Sequence, residues 1–241
     1  MPLSPDQRER VLSIFQGFLA GRIANLDKLA LDKLTFNVIA LRASAALYEL
    51  TDPESLLRYR ITQRLERGSS TALGTAFQTI ARVVGGSGTG VEGADLMIVR
   101  DGRNHYVQIK SGPEGFNKDT AQNIAGQLNS ARARDPGAIC IAAICYGRQD
   151  QVPAMVQAEL GARGIELMVG RPFWAFLSGD ERCMDEVLDL ARAAAEDAPP
   201  GETSFAHRVD EKVAELVTAF KTQYGNELTA DTWSRFLADH S

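Results

Sequence analysis

Apolar residues recur every three or four positions over Arg8–Leu19 and again over Leu26–Leu50, where alanine is abundant. This spacing predicts helices across residues 5–50. Thr51-Asp52-Pro53-Glu54 reads as a helix start: Thr51 or Asp52 as N-cap, Pro53 in the first turn, Glu54 at the positive end of the dipole. That helix is expected to run to about Glu66, to break at Gly68-Ser69-Ser70 and to give way to another over Thr71–Val84. The glycine-rich stretch Gly85–Gly90 ends this helical region.

The period then shortens. Ala94–Arg100 is apolar and β-prone, Asp101-Gly102 is a hairpin turn, and Arg103–Lys110 is the second strand. Ser111-Gly112-Pro113 stops it. A helix over Thr120–Arg134, a strand over Ile139–Cys145, a helix over Val152–Arg163 and a strand over Ile165–Val169 follow. Beyond them come a helical turn at Pro172–Leu177, an amphipathic helix at Glu181–Ala195, a linker at Ala198-Pro199-Pro200-Gly201, and helices near Ser204–Tyr224 and Ala230–Asp239. The order implies an α/β fold, a mixed central β-sheet flanked by helices with further helices at both ends. Three regions are expected: an N-terminal helical region over 1–84, a core over 85–179, and a C-terminal helical region over 180–241 packed on the same domain.

Composition keeps this picture and narrows it. The chain has 241 residues, 44% hydrophobic and 24% charged, near the averages of globular proteins. No apolar run reaches the roughly 18 residues of a membrane span. MPLSPDQRER carries no apolar segment after its charges, which argues against a secretory signal. Cys140, Cys145 and Cys183 have no paired spacing and apolar neighbours. They read as buried thiols of a cytoplasmic protein. The net charge is −5, but residues 180–241 hold 14 acids and 6 bases, which leaves +3 on residues 1–179. Bases gather at Arg58, Arg60, Arg64 and Arg67, and again at Lys110, Lys118, Arg132 and Arg134. Solvated helix faces often carry such groups, yet a phosphate-gripping enzyme needs a local positive groove rather than a positive whole.

The hairpin carries the candidate chemistry. With Asp101-Gly102 as a two-residue loop, Asp95 faces Gln108. Leu96, Ile98, Val107 and Ile109 share one face; Asp95, Met97, Val99, Tyr106, Gln108 and Lys110 share the other. A carboxylate, an amide oxygen and an ammonium then converge at one end of an apolar pair. Asp95 and the Gln108 oxygen, with the backbone carbonyl of Ile109, suit Mg²⁺, which prefers oxygen ligands. Lys110 is placed to orient a water for phosphodiester hydrolysis. The alternative is a buried Asp95–Lys110 salt bridge at a strand end.

Gly93-Ala94-Asp95-Leu96-Met97-Ile98 and Tyr106-Val107-Gln108-Ile109-Lys110-Ser111-Gly112-Pro113 resemble the core of PD-(D/E)XK nucleases. The Lys-Ser-Gly-Pro ending with Phe116-Asn117-Lys118-Asp119 resembles type II restriction endonucleases that cut GC-rich sites of GG/CC type. Leu50–Glu54 with Arg58-Tyr59-Arg60, Ser70–Thr75, and Gly170–Gly179 resemble that group's flanking segments. The likeness spans roughly residues 35–225. It implies a restriction-endonuclease-like core. Two departures stand out: Ala94 in place of proline, and Gln108 in place of the second acid. The latter removes one negative charge from the metal site, and Glu54, Glu66 and Glu92 are the candidates to restore it.

The helix after the catalytic strand, with its lead-in, is rich in amides and bases. Asn117, Lys118, Gln122, Arg132 and Arg134 are the candidates for contact with DNA bases or phosphates. Gly85–Gly90 lacks the Gly-Lys-Ser/Thr ending of a phosphate loop, and His105 lies on the face opposite Asp95. Phe173, Trp174 and Phe176 read as a packed plug. The whole reads as a Mg²⁺-dependent type II endonuclease of double-stranded DNA. A homodimer is expected, since cutting both strands at a symmetric site takes two active sites. The rivals are a repair or modification-dependent nuclease of the same superfamily, and a decayed DNA-binding or assembly protein.

Overall fold

The computed structural model describes residues 2–86, 91–196 and 204–240. The chain folds into two compact units, neither of them one continuous stretch. Residues 2–18, 72–86 and 91–196 build the first, and residues 19–71 and 204–240 the second. The Ser87–Gly90 part of the glycine-rich run and the Ala198–Gly201 linker lie outside the described residues.

The first unit holds a four-stranded sheet in the order β1 (Leu96–Arg100), β2 (Arg103–Lys110), β3 (Ile139–Ile144), β4 (Ile165–Val169). The hairpin pair is antiparallel and the other two pairs are parallel, so the sheet is mixed, as expected. Asp101 and Gly102 both have positive φ, 51° and 71°. Two positive φ values suit the right-handed twist of the flanking strands, and Asp-Gly accepts them at low cost. Leu96 therefore pairs with Val107 and Met97 with Tyr106.

Both sheet faces are covered. Helices α4 (Lys118–Arg134) and α5 (Ala154–Ala162) bury Tyr106, Cys140, Ala142 and Ile144 on one side. On the other, α6 (Arg171–Ser178) packs near the end of α3 (Pro53–Val84): an added Cβ at Gly85 would touch both Ile98 and Leu177 at 3.4 Å. His105 is buried on this side, its ring 5.3 Å from that of Phe176. At the chain start, α1 (Pro5–Asp27) reaches the end of α3 through Gln7, whose amide donates to the Val83 and Val84 carbonyls. The remaining helix of this unit is α7 (Cys183–Glu196).

The second unit is helical. Its core joins Leu26, Phe36, Leu41 of α2 (Val38–Leu47), Leu57 and Ile61 of α3, Phe220 of α8 (Phe205–Tyr224) and Phe236 of α9 (Ala230–Asp239). Phe36 and Phe236 meet edge to face at 4.9 Å.

Two helix expectations are corrected. The stretch Leu26–Leu50 is not one helix. Between Asp27 and Asn37 the chain makes only a short 3₁₀ turn at Leu31–Lys33, and Leu31, Leu34 and Phe36 are buried without helical periodicity. Lys212 bonds the Asp27 and Leu29 carbonyls where α1 ends, and the Asn37 side chain caps α2. Conversely, α3 does not break at Gly68-Ser69-Ser70 and runs unbroken for 32 residues. The Ser69 and Ser70 hydroxyls bond the carbonyls four residues back, at 3.0 and 3.3 Å, instead of competing with the helix. Gly68 leaves space for Arg22, since a Cβ there would lie 2.9 Å from its guanidinium. Asp52 does start α3, its carboxylate accepting from the Glu54 and Ser55 amides at 2.8 and 3.0 Å.

Candidate active site

Asp95 directly precedes β1, opposite Gln108 in the register that the Asp-Gly turn sets. One carboxylate oxygen, Oδ2, accepts the backbone N–H of Ile109 at 2.8 Å. This bond holds the acid against β2 at the residue between Gln108 and Lys110. From the other side, Arg82 Nε donates to the Asp95 carbonyl at 3.2 Å, so the backbone there is anchored to α3. Because Ile109 turns its N–H toward Asp95, its carbonyl leaves the strand on the same side.

Gln108 and Lys110 share the α4 face with Tyr106. Tyr106 and Met97 are covered by the α4 core, Gln108 is half-buried, and Lys110 is exposed. The strip thus runs from packed to open within one strand. Among the described residues Lys110 makes no ion pair, which sets aside the buried salt bridge with Asp95. Beside them on β3 stand Ala142, opposite Gln108, and Ile144, opposite Lys110. Ala142 leaves room where a larger side chain would crowd the amide.

Lys110, Ile144 and Val169 end three parallel strands in register, so the lysine stands at the carboxyl edge of the parallel sheet. Ligands of open α/β sheets gather at such edges. The following turns lock together. Cys145 N–H donates to the Lys110 carbonyl at 2.9 Å, Tyr146 N–H to Ser111 at 3.2 Å, and Gly170 N–H to Ile144 at 2.8 Å. A Cβ on Gly112 would lie 2.3 Å from the Tyr146 ring, so a larger residue in the Ser-Gly-Pro turn would push that ring aside. Trp174 and Phe173 are buried, and Trp174 Nε1 donates to the Cys145 carbonyl at 2.8 Å; they form a plug beneath the edge. Burial, then the Asp95 charge, pushes the Cys145 thiol up to about 12. It carries no nucleophilic thiolate at neutral pH.

The Asp95 end offers oxygens to a cation: the second carboxylate oxygen, with Gln108 opposite it in the register and the Ile109 carbonyl one residue further on. That chemistry fits a hard divalent cation completed by water. Among the described residues no three His, Cys, Asp or Glu side chains converge on one point. Glu92, the nearest acid in sequence, is solvent-facing and pairs with Arg134. Glu54 and Glu66 belong to the second unit, where Glu54 pairs with Arg58.

The expected DNA contacts fall into two groups. Asn117 caps α4 by accepting from Thr120 N–H at 2.9 Å. Arg132 bonds the Asn129 side chain and the Arg163 and Gly164 carbonyls, and Arg134 bonds the Glu92 carbonyl and carboxylate. Lys118 and Gln122 are exposed and, among the described residues, have no partner within the chain. Tyr146, whose ring lies against Gly112, is a neighbour of the carboxyl edge that the sequence pattern does not mark. Its one signal there was its position just past a buried strand.

The model of the Type II restriction endonuclease EcoO109I family matches residues 8–198, which include the hairpin, the carboxyl edge and the aromatic plug. The chain belongs to this family. It is a restriction endonuclease, a DNA-directed nuclease with the mixed sheet and flanking helices described above. No curated protein matches the chain. No helix among the described residues is long and apolar enough to cross a membrane.

Proposed function

We propose that this restriction endonuclease hydrolyses double-stranded DNA at a short specific site, with Mg²⁺, as a homodimer in the cytoplasm. The observation that carries the reading is the Asp95 carboxylate, clamped by the Ile109 N–H between Gln108 and Lys110. Asp95 would hold the metal through its free oxygen, with the Gln108 amide oxygen and the Ile109 carbonyl beside it. Bound there, Mg²⁺ would polarise the scissile phosphate and lower the pKa of a water. Lys110, exposed at the strand end, orients the attacking water and offsets charge building on the phosphate. Lys118 and Gln122 are exposed α4 side chains free to touch the duplex. Two-fold symmetry would present one such site to each strand.

Asp95→Ala should cut plasmid DNA at below about a thousandth of the parental rate, while duplex binding in Ca²⁺ persists. Cleavage near the parental rate would place the active site elsewhere. Discrete bands from a mapped plasmid separate a site-specific enzyme from a repair nuclease. Gln108 favours one rival, a binding protein that has lost catalysis, because a neutral amide holds Mg²⁺ less tightly than a carboxylate. Metal-dependent nicking of plasmid excludes that rival. Gln108→Glu should then lower the Mg²⁺ concentration needed for half-maximal rate, and an unchanged requirement would remove Gln108 from the ligand set.

A further inference from the structure

Arg60, Arg64 and Arg67 follow one another at i, i+4 and i+7, so one face of α3 presents all three. They stand between two cavities of the second unit, each of about 560 Å³. Arg22, Lys28 and Lys33 complete the wall of the first, which six cationic side chains and no carboxylate line. Among the described residues none of Lys28, Lys33, Arg60, Arg64 and Arg67 forms an ion pair. Their neighbour Arg58 does, with Asp210 at 2.6 Å and Glu54 at 3.4 Å.

The fold holds this charge in place at a cost. Arg60 is half-buried, donates to the Thr35 carbonyl at 2.6 Å, lies over the Phe36 ring, and keeps its Nε buried without a partner. Burial lowers the pKa of Arg60, and the Arg64 and Arg67 charges lower it further; burial lowers that of Arg22 too, against the opposing pull of the Glu66 carboxylate. Partly desolvated like charges, with Glu66 near Arg22 as their one acidic neighbour among the described residues, are unfavourable unless an anion completes them. A single phosphate would leave most of this charge unmet. The row from Arg60 to Arg67 extends about 10 Å along the helix, a length suited to a chain of phosphates.

We propose that this cavity and the arginine row beside it are a docking surface for the phosphodiester backbone of duplex DNA. Lys28, Lys33, Arg64 and Arg67 meet phosphate oxygens, and the buried Arg22 and half-buried Arg60 supply the surrounding positive field. The proposal rests on the duplex as substrate and adds to it a sequence-independent binding surface in the second unit.

The test is a binding titration of the full chain with a short random-sequence duplex, without divalent ions, from about 50 to about 200 mM salt. Each lost phosphate contact flattens the slope of log K against log salt by about 0.9. The triple variant Lys33→Gln, Arg64→Gln, Arg67→Gln should lower the slope by about 2.7, so the same rise in salt costs it about 40-fold less affinity than the parent. Arg67→Gln alone, at an exposed position, should lower it by about 0.9 and serves if the triple variant does not fold. Arg58→Gln removes the same charge from a paired arginine and should leave the slope unchanged. Equal slopes in the parent and both cavity variants overturn the proposal, and so does an equal loss in Arg58→Gln, which would mark an effect of net charge. Saturable binding of inorganic phosphate that the variants abolish, with DNA slopes intact, would make the cavity a small-anion site and also overturn it. The titration does not read Asp95, so an Asp95→Ala variant that still cuts would leave its outcome untouched.

Discussion

Helices α3 and α4 each carry several cations, yet they use them differently. In the second unit, Arg60, Arg64 and Arg67 of α3 face cavities and meet no carboxylate, and of the three Arg60 bonds a backbone carbonyl, that of Thr35. On α4, Arg132 and Arg134 are spent on the chain itself: one ties the helix to the turn before β4, the other to the loop before β1. The carbonyls of Arg163 and Gly164 lack ladder partners at that turn, and Arg132 satisfies both with one planar fork. The lesson is that a basic run in a sequence counts charge but not availability. An arginine beside orphaned backbone carbonyls is a structural bolt, and one beside other arginines is a candidate for an anion.

Arg132→Ala gives the largest effect on this contrast. Losing its bonds to Asn129, Arg163 and Gly164 should cost about 2 kcal/mol in urea unfolding and leave the salt slope of DNA binding as it was. A flattened slope with unchanged stability would reverse the assignment and put Arg132 on the DNA.

The helix starts differ next. Both α3 and α4 begin with an Asx cap, Asp52 and Asn117, so alanine at either should cost about 1 kcal/mol near neutral pH. Only one of them titrates. The Ser55 N–H holds the Asp52 carboxyl below the usual carboxylate range. Its contribution is therefore complete above the unfolded pKa of about 3.9 and fades as the pH falls through the lower folded value. Stability measured from neutral pH into acid should show the Asp52→Ala deficit shrinking while the Asn117→Ala deficit stays level. Parallel curves would mean that the charge of Asp52 adds nothing to its cap.

The smallest effects are the two exceptions on these helices, paired Arg58 on α3 and free Lys118 on α4. Neither Arg58→Gln nor Lys118→Ala should move stability by more than about 0.5 kcal/mol. Lys118→Ala should nevertheless flatten the salt slope by about 0.9 if its ammonium meets phosphate, and no change would remove α4 from the phosphate path.

The legible parts of the chain were those governed by nearest neighbours. Asp101-Gly102 sets the hairpin register because a two-residue turn with two positive φ values leaves one pairing open, and that pairing puts Asp95 opposite Gln108. Thr51–Glu54 marked a helix start through short-range bonds to Asp52, and Ile165–Val169 is a strand at the bounds expected of it. What lay beyond was decided by partners distant in sequence. Gly68-Ser69-Ser70 is a local break signal, yet the helix passes through it because the serines bond backwards and Arg22, 46 positions earlier, fills the space that Gly68 leaves. The joining of residues 19–71 with 204–240 depends on which apolar faces found each other, since Phe36 and Phe236 are 200 positions apart. So does the sorting of arginines into bolts and free cations. A side chain's type is written in the sequence, but its counter-charge, its carbonyl partners and its exposure are set by chain brought near only when the protein folds.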